Sequence, residues 1–260
     1  METNNLKTIR QYLPEISSSA GQLQLAMIIL FYLCLTTVYF IITDRAIRDW
    51  SIDSQILVFM IGFINASLFF LKRDEYKNKF GDMAYRKAIK RFILPSLGIL
   101  TAVLFHTAYM NGPQIPGGWW TVPMIWLGWL MLAVGSLLYL RSVMAFGLED
   151  FMKISAYFPT SSPLNTSSIR GILRHPIDAA LLRMGIGLAL LNHNAFALTF
   201  AIFLPLGITG WTRLVKERDM IERYGASYLD YRRRVPAFWP KPGKLTAFID
   251  FLLRGDRAVI

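Results

Sequence analysis

The sequence predicts an all-α integral membrane protein, with four transmembrane helices followed by a C-terminal membrane helical hairpin and a cytoplasmic tail. Three observations carry this. Residues 16–43, 54–71, 92–140 and 184–212 contain no Lys, Arg, Asp or Glu, and charge-free runs of that length can cross hydrocarbon. Apolar residues make up 54% of the 260 and charged residues only 17%, which excludes an ordinary soluble domain. The net charge of +11 is concentrated in the segments that follow the apolar runs. That distribution sets membrane orientation and offers lipid contacts, and it lacks the basic amphipathic face that nucleic acid would need.

The first run is too long for a signal peptide and has no small-residue cleavage site, so residues 21–43 are expected to form a first membrane helix. Residues 54–71 form the second. The connection 44–53 carries more acid than base and belongs outside, whereas 72–91 holds eight Lys or Arg against three acids and belongs in the cytoplasm. The run 92–140 is twice a crossing, and Asn111-Gly112-Pro113 through Pro116-Gly117-Gly118 divides it into helices three and four. Trp119, Trp120, Trp126 and Trp129 then form an interfacial aromatic belt. Residues 141–174 are polar and read as a cytoplasmic connection.

Asn192-His193-Asn194 interrupts the last apolar run with three polar side chains, which lipid does not tolerate unsatisfied. A hairpin follows, with arms at 176–191 and 195–222 and Pro176 near the first helical position. Gly185 and Gly187 fall inside the first arm and suit close helix packing. The count of crossings puts both termini in the cytoplasm. The chain is then a single membrane domain: transmembrane helices at 1–140, a functional core at 141–240 and a cytoplasmic tail at 241–260. The lone Cys34 sits in the first helix, so neither a disulfide framework nor a cysteine metal site is expected.

Chemistry concentrates at the hairpin's cytoplasmic mouth. Arg174-His175-Pro176 places a cation and an imidazole at a helix N-terminus, which attracts anions. The second arm leaves the membrane through Arg213, Lys216, Glu217, Arg218, Asp219 and Glu222. Because the arms are neighbours, Glu217 is brought toward Arg174 and His175. Asp219 and Glu222 read as solvated helix charges paired with nearby arginines. His106 and His193 are expected at the far side, outside any site.

Several of these pieces together form a pattern. Leu164-Asn165-Thr166-Ser167-Ser168-Ile169, Arg174-His175-Pro176, Glu217, Tyr224-Gly225, Tyr228, Tyr231, Val235-Pro236, Phe238 and Pro240 resemble the isoprenylcysteine carboxyl methyltransferase and phospholipid methyltransferase superfamily over the last third of the chain. The resemblance implies S-adenosyl-L-methionine as cofactor and a lipophilic or membrane-associated acceptor: a prenylcysteine carboxylate, a phospholipid amine or a small thiol. It implies that Arg174 and His175 hold the cofactor with Pro176, that Glu217 binds its amine or ribose, and that Tyr228, Tyr231 and Arg232 close over it. His175 and Glu217 are the groups near enough to manage an acceptor proton. Arg183, costly inside a membrane unless paired, is expected to meet a substrate headgroup with Asp178 as its resting partner. Four positions depart from the family pattern: Ser168 replaces a glycine, Arg170 a tyrosine, Asp178 an aromatic residue, and Lys216 the first acid of a Glu pair. Membrane sterol and steroid reductases share the Tyr-rich and Pro-x-Phe-x-Pro elements and use NADPH, which leaves a reductase, or a non-catalytic membrane protein of the same fold, as alternatives.

Overall fold

The computed structural model describes residues 10–151, 153–158, 164, 166 and 168–255. Asn165 and Ser167 of the Leu164 motif lie outside these residues, as do residues 1–9 and the last five of the tail. Among the described residues the chain is all-α. Five segments are long and apolar enough to cross a membrane: Ser19–Ala46, Ser51–Leu71, Arg73–Tyr109, Thr121–Phe146 and Ala195–Tyr224.

Helix α1 spans Ser19–Ala46, with the Ser18 hydroxyl accepting from the Gly21 N–H. Helix α2 spans Ser51–Leu71 and is tied to the third crossing by Asn65, whose amide donates to the Phe92 carbonyl at 2.8 Å and to Ser96 at 2.9 Å. The basic segment 72–91, expected as a loop, is helical instead. It forms α3 (Arg73–Phe80), a break at Gly81 with φ 52°, α4 (Ala84–Ala88) and a π turn (Ile89–Ile93) that runs into α5, Leu94–Tyr109. Its apolar residues decide this. Tyr76, Tyr85, Ala88 and Ile89 pack with Phe69, Leu13 and Tyr157 into a small core outside the main bundle. Glu15 reinforces it by accepting from Arg86 and Lys90; burial raises its pKa, yet these two cations bring it below the ordinary carboxylate value.

Helix α6, Thr121–Phe151, continues past the expected end at Leu140, and α7 (Ile154–Tyr157) follows. The hairpin forms as α8, Pro176–Asn192, and α9, Ala195–Trp211, with His193 in the left-handed region at φ 61° and Asn194 capping α9. The glycines on α6 and α8 let the two backbones touch. A Cβ on Gly187 would stand 2.8 Å from the Gly128 carbonyl oxygen, and one on Gly135 2.9 Å from that of Ala180. Beyond α9 come a π turn (Thr212–Lys216), α10 (Glu217–Tyr224) and α11 (Ala226–Arg234), with Gly225 at φ 53° turning the chain between them. The tail also folds: α12, Leu245–Arg254, packs Phe248, Phe251 and Leu252 into the core.

At the end of the bundle away from His175, polar side chains are buried together. Asp44, expected in the outer connection, belongs to the last turn of α1. It accepts from Ser51 and lies 3.1 Å from His106 Nε2, while His106 Nδ1 is 2.7 Å from Gln55 and its ring stacks on Phe40. Asn192 and Asn194 donate to the Met110 carbonyl. Asp44, Ser51, Gln55, His106, Asn192 and Asn194 thus pair with one another or with nearby carbonyls, while His193 Nδ1 in the same turn is buried with no partner.

Candidate active site

The segment 168–176 and the tail after α11 are held together by their backbones. The Arg174 N–H donates to the Pro236 carbonyl at 2.9 Å and the His175 N–H to that of Ala237 at 3.1 Å. This pairing brings Arg174-His175-Pro176 and Val235-Pro236-Ala237-Phe238 side by side in the fold. Arg174 also donates to the Arg232 carbonyl at 2.6 Å, at the last turn of α11. The Tyr231 hydroxyl donates to the Arg170 carbonyl at 2.7 Å.

Glu217 is 1% exposed and sits between two arginines and a histidine. Arg174 stands 2.9 Å from one oxygen, His175 Nε2 3.2 Å from the same oxygen, and Arg232 3.4 Å from the other. Burial drives the His175 pKa below the ordinary imidazole value, with the Glu217 contact only partly opposing it. The ring is therefore neutral at pH 7. With Nε2–H assigned as the donor to Glu217, Nδ1 is left as an acceptor.

The departures at Asp178 and Lys216 turn out to be one feature. The Lys216 ammonium donates to both Asp178 oxygens at 2.7 Å and lies 4.1 Å over the Trp211 ring. Asp178 is also 3.9 Å from His175 Nδ1. The π turn ends at Lys216 and α10 begins at Glu217, so the two adjacent side chains project to different partners. The expected Asp178–Arg183 pair does not form. Arg183 instead donates to the Ala179 carbonyl at 2.7 Å and the Phe238 carbonyl at 3.0 Å and stacks 4.2 Å from Trp239. It binds the tail to α8 and does not line the cavity beside Arg174. Asp219 is another correction: it is buried between Arg73 at 2.8 Å and Arg223 at 2.6 Å, because the unforeseen α3 delivers Arg73. Glu222 pairs with Arg218 on its own helix face, as its spacing suggests.

A cavity of about 240 Å³ opens beside these groups. Its polar mouth is walled by Arg170, Arg174, His175, Asp178, Lys216, Tyr228 and Tyr231. An apolar branch runs on between α2, α5 and α9, from Phe70 to Phe59, Ile93 to Leu104 and Trp211 to Phe200; each stretch corresponds to about 16 Å of helix rise. Glu217, Arg232 and Arg183 are behind the wall. Three buried polar atoms at the lining have no partner: Arg174 Nε, the Tyr228 hydroxyl and Trp211 Nε1. Burial raises the Tyr228 pKa and pushes that of Tyr231 up to about 12, so both hydroxyls stay protonated. Nothing in the local sequence singles out Trp211, and Arg170 stands out only as a departure from the family pattern; the packing of α9 against α2 and the contact of Arg170 with Phe146 on α6 bring them to the wall.

The position before Arg-His-Pro has its own signature. Ser168 adopts φ 55°, the left-handed region that glycine enters without strain, where the resembling family carries glycine. Arg170 lies 4.2 Å from the Phe146 ring, and its side chain occupies wall that a tyrosine would otherwise form.

The chain is 30% identical over 126 residues, 47% of its length, to Methanethiol S-methyltransferase 2 of Bradyrhizobium diazoefficiens. It spans about half of that relative, 46%. No protein-family model matches the chain, and no solved structure does.

Proposed function

We propose that this chain is an S-adenosyl-L-methionine-dependent methyltransferase, with the cofactor in the polar mouth and the acceptor arriving through the apolar branch. The observation that carries the reading is the set of unpartnered donors, Arg174 Nε, Tyr228 hydroxyl and Trp211 Nε1, at the lining of one cavity. Buried donors left without acceptors are uncommon, and here they converge where a ligand can supply them. The residues fit the cofactor's parts. The Arg174 Nε–H and the free N–H groups at the start of α8 suit a carboxylate, Asp178 suits an amine, and the rings of Trp211, Tyr228 and Tyr231 suit an adenosyl group. Glu217 then acts indirectly, by holding Arg174, His175 and Arg232 in place. Similarity to a protein named as a methanethiol S-methyltransferase supports a thiol acceptor. The basic residues around 72–91 support placing the mouth on the cytoplasmic side.

When bound, the cofactor supplies a methyl group activated by its sulfonium and a neutral thioether leaving group. The protein then has to position the acceptor and deal with its proton. Neutral His175, oriented through Nε2 by Glu217, presents Nδ1 as the base that takes a thiol proton. Lys216, beside it, favours the thiolate that results.

Isothermal titration in detergent tests this. S-adenosylhomocysteine should bind, Arg174→Ala should remove that binding, and NADPH should not bind. Binding of NADPH without S-adenosylhomocysteine would overturn the proposal in favour of the reductase.

A further inference from the structure

The C-terminal helix α12 carries a wider apolar arc than the protein uses. At about 100° per residue, Phe248, Phe251 and Leu252 form one part of the arc and are buried. Leu245, Ile249 and Leu253 continue it and are 47%, 53% and 66% exposed. Thr246, Asp250 and Arg254 fill the opposite, polar side, where Arg254 pairs with Asp250 at 3.2 Å. The exposed apolar half is therefore a direct extension of the buried half.

The position of the helix identifies what covers that half. Arg141 donates to the Leu252 and Leu253 carbonyls, at 3.3 and 2.9 Å, so α12 ends beside residue 141 of α6. That level falls just inside the apolar segment Thr121–Phe146. Its neighbours on α6, Leu140 and Met144, are 58% and 75% exposed, and on a membrane-spanning helix those side chains meet lipid. The uncovered face of α12 is continuous with this lipid-facing surface. Lys241 and Lys244, both exposed, immediately precede the helix and add two cations beside its apolar face.

We propose that α12 is an interfacial helix that docks on an anionic lipid surface, with Leu245, Ile249 and Leu253 among the acyl chains and Lys241 and Lys244 at the headgroups. Apolar burial and attraction to anionic lipid act together in such helices. The contact is linked to the site. Phe248, on the buried side, lies 5.8 Å from the Arg183 guanidinium, which holds the Phe238 carbonyl next to Pro236 and Ala237, whose carbonyls accept from the Arg174 and His175 N–H groups. Membrane docking thereby steadies the tail that backs the cavity.

The test uses the full chain with Cys34→Ser in nanodiscs of phosphatidylcholine and phosphatidylglycerol. An environment-sensitive label is placed at Ile249→Cys or, as a control, at Asp250→Cys. Brominated acyl chains should quench the label at 249 at least twofold more than the label at 250. Omitting phosphatidylglycerol, or the change Lys241→Gln with Lys244→Gln, should weaken that quenching. Equal quenching at both positions overturns the proposal. So does shielding of position 249 from brominated lipid with self-quenching between copies, which would assign the face to a second copy of the chain.

Discussion

The two ends of this helical bundle carry the same ingredients arranged to opposite effect. At each end a buried histidine meets a carboxylate: His106 at 3.1 Å from Asp44, and His175 at 3.2 Å from Glu217. At the Asp44 end the Ser51 hydroxyl, the Gln55 amide and the His106 imidazole are satisfied around Asp44. At the His175 end the ion pairs border a cavity, and three side chains that line it each keep a buried donor without a partner. Burying polar residues in a membrane protein is therefore insufficient to make a site. A ligand is called for where the network is left incomplete beside a space, and the contrast can be tested from both sides.

The largest effect is expected at the pair that replaced two family positions. Asp178→Ala should destabilise the protein by about 3–5 kcal/mol, because it strands a mostly buried ammonium. The double change Asp178→Leu with Lys216→Leu should recover most of that loss, because no unpaired charge remains. Thermal unfolding in detergent measures both. A double variant as unstable as the single one would show that the pair is not a self-compensating unit.

At the closed end, Asp44→Ala should lower stability by about 2–3 kcal/mol by leaving buried His106 Nε2 without its carboxylate partner, with S-adenosylhomocysteine affinity unchanged. If affinity fell as far as in Arg174→Ala, the distinction between the two ends would collapse. Tyr228→Phe sharpens it from the other direction. It removes a hydroxyl with no partner in the ligand-free protein, so stability should hold or rise slightly, while ligand binding should weaken about fivefold, equivalent to about 1 kcal/mol. Calorimetric titration beside a melting curve separates the two effects.

Acidification acts on the open end through His175. Its folded pKa is depressed by burial, and the unfolded value is about 6.5. Between them the unfolded chain binds more protons, so stability rises with pH across that window and is lost on acidification. His175→Gln should flatten the slope in melts collected below neutral pH. The smallest effect is expected at Ser168→Gly, which relieves a left-handed serine but adds chain entropy to the unfolded state; the net gain should be at most about 1 kcal/mol, seen as a slightly higher melting temperature.

Much of the fold was legible because a bilayer constrains sequence so strongly. Charge-free runs marked the crossings, Asn192-His193-Asn194 marked the hairpin turn, and Tyr224-Gly225 marked a helix stop. Helices α3, α4 and α12 were missed because their charges outweighed short apolar faces that matter only once Tyr85 has Phe69 to pack against, or Phe248 has α6. The residues gathered near Arg174 were legible as a set, through their order along the chain. Which of them reach the cavity was not.

The sequence by itself determined the class of fold, the hairpin and the charged mouth where it returns to water, since these follow from hydropathy, helix capping and charge, all properties of contiguous residues. Only the tertiary structure decided that Lys216 answers Asp178, that Arg183 serves the tail, that Glu217 stands behind the wall and that Trp211, Arg174 and Tyr228 line the cavity, each with a buried donor left unpartnered. These are pairings between groups up to tens of residues apart, and a side chain's partner is fixed by where helices cross.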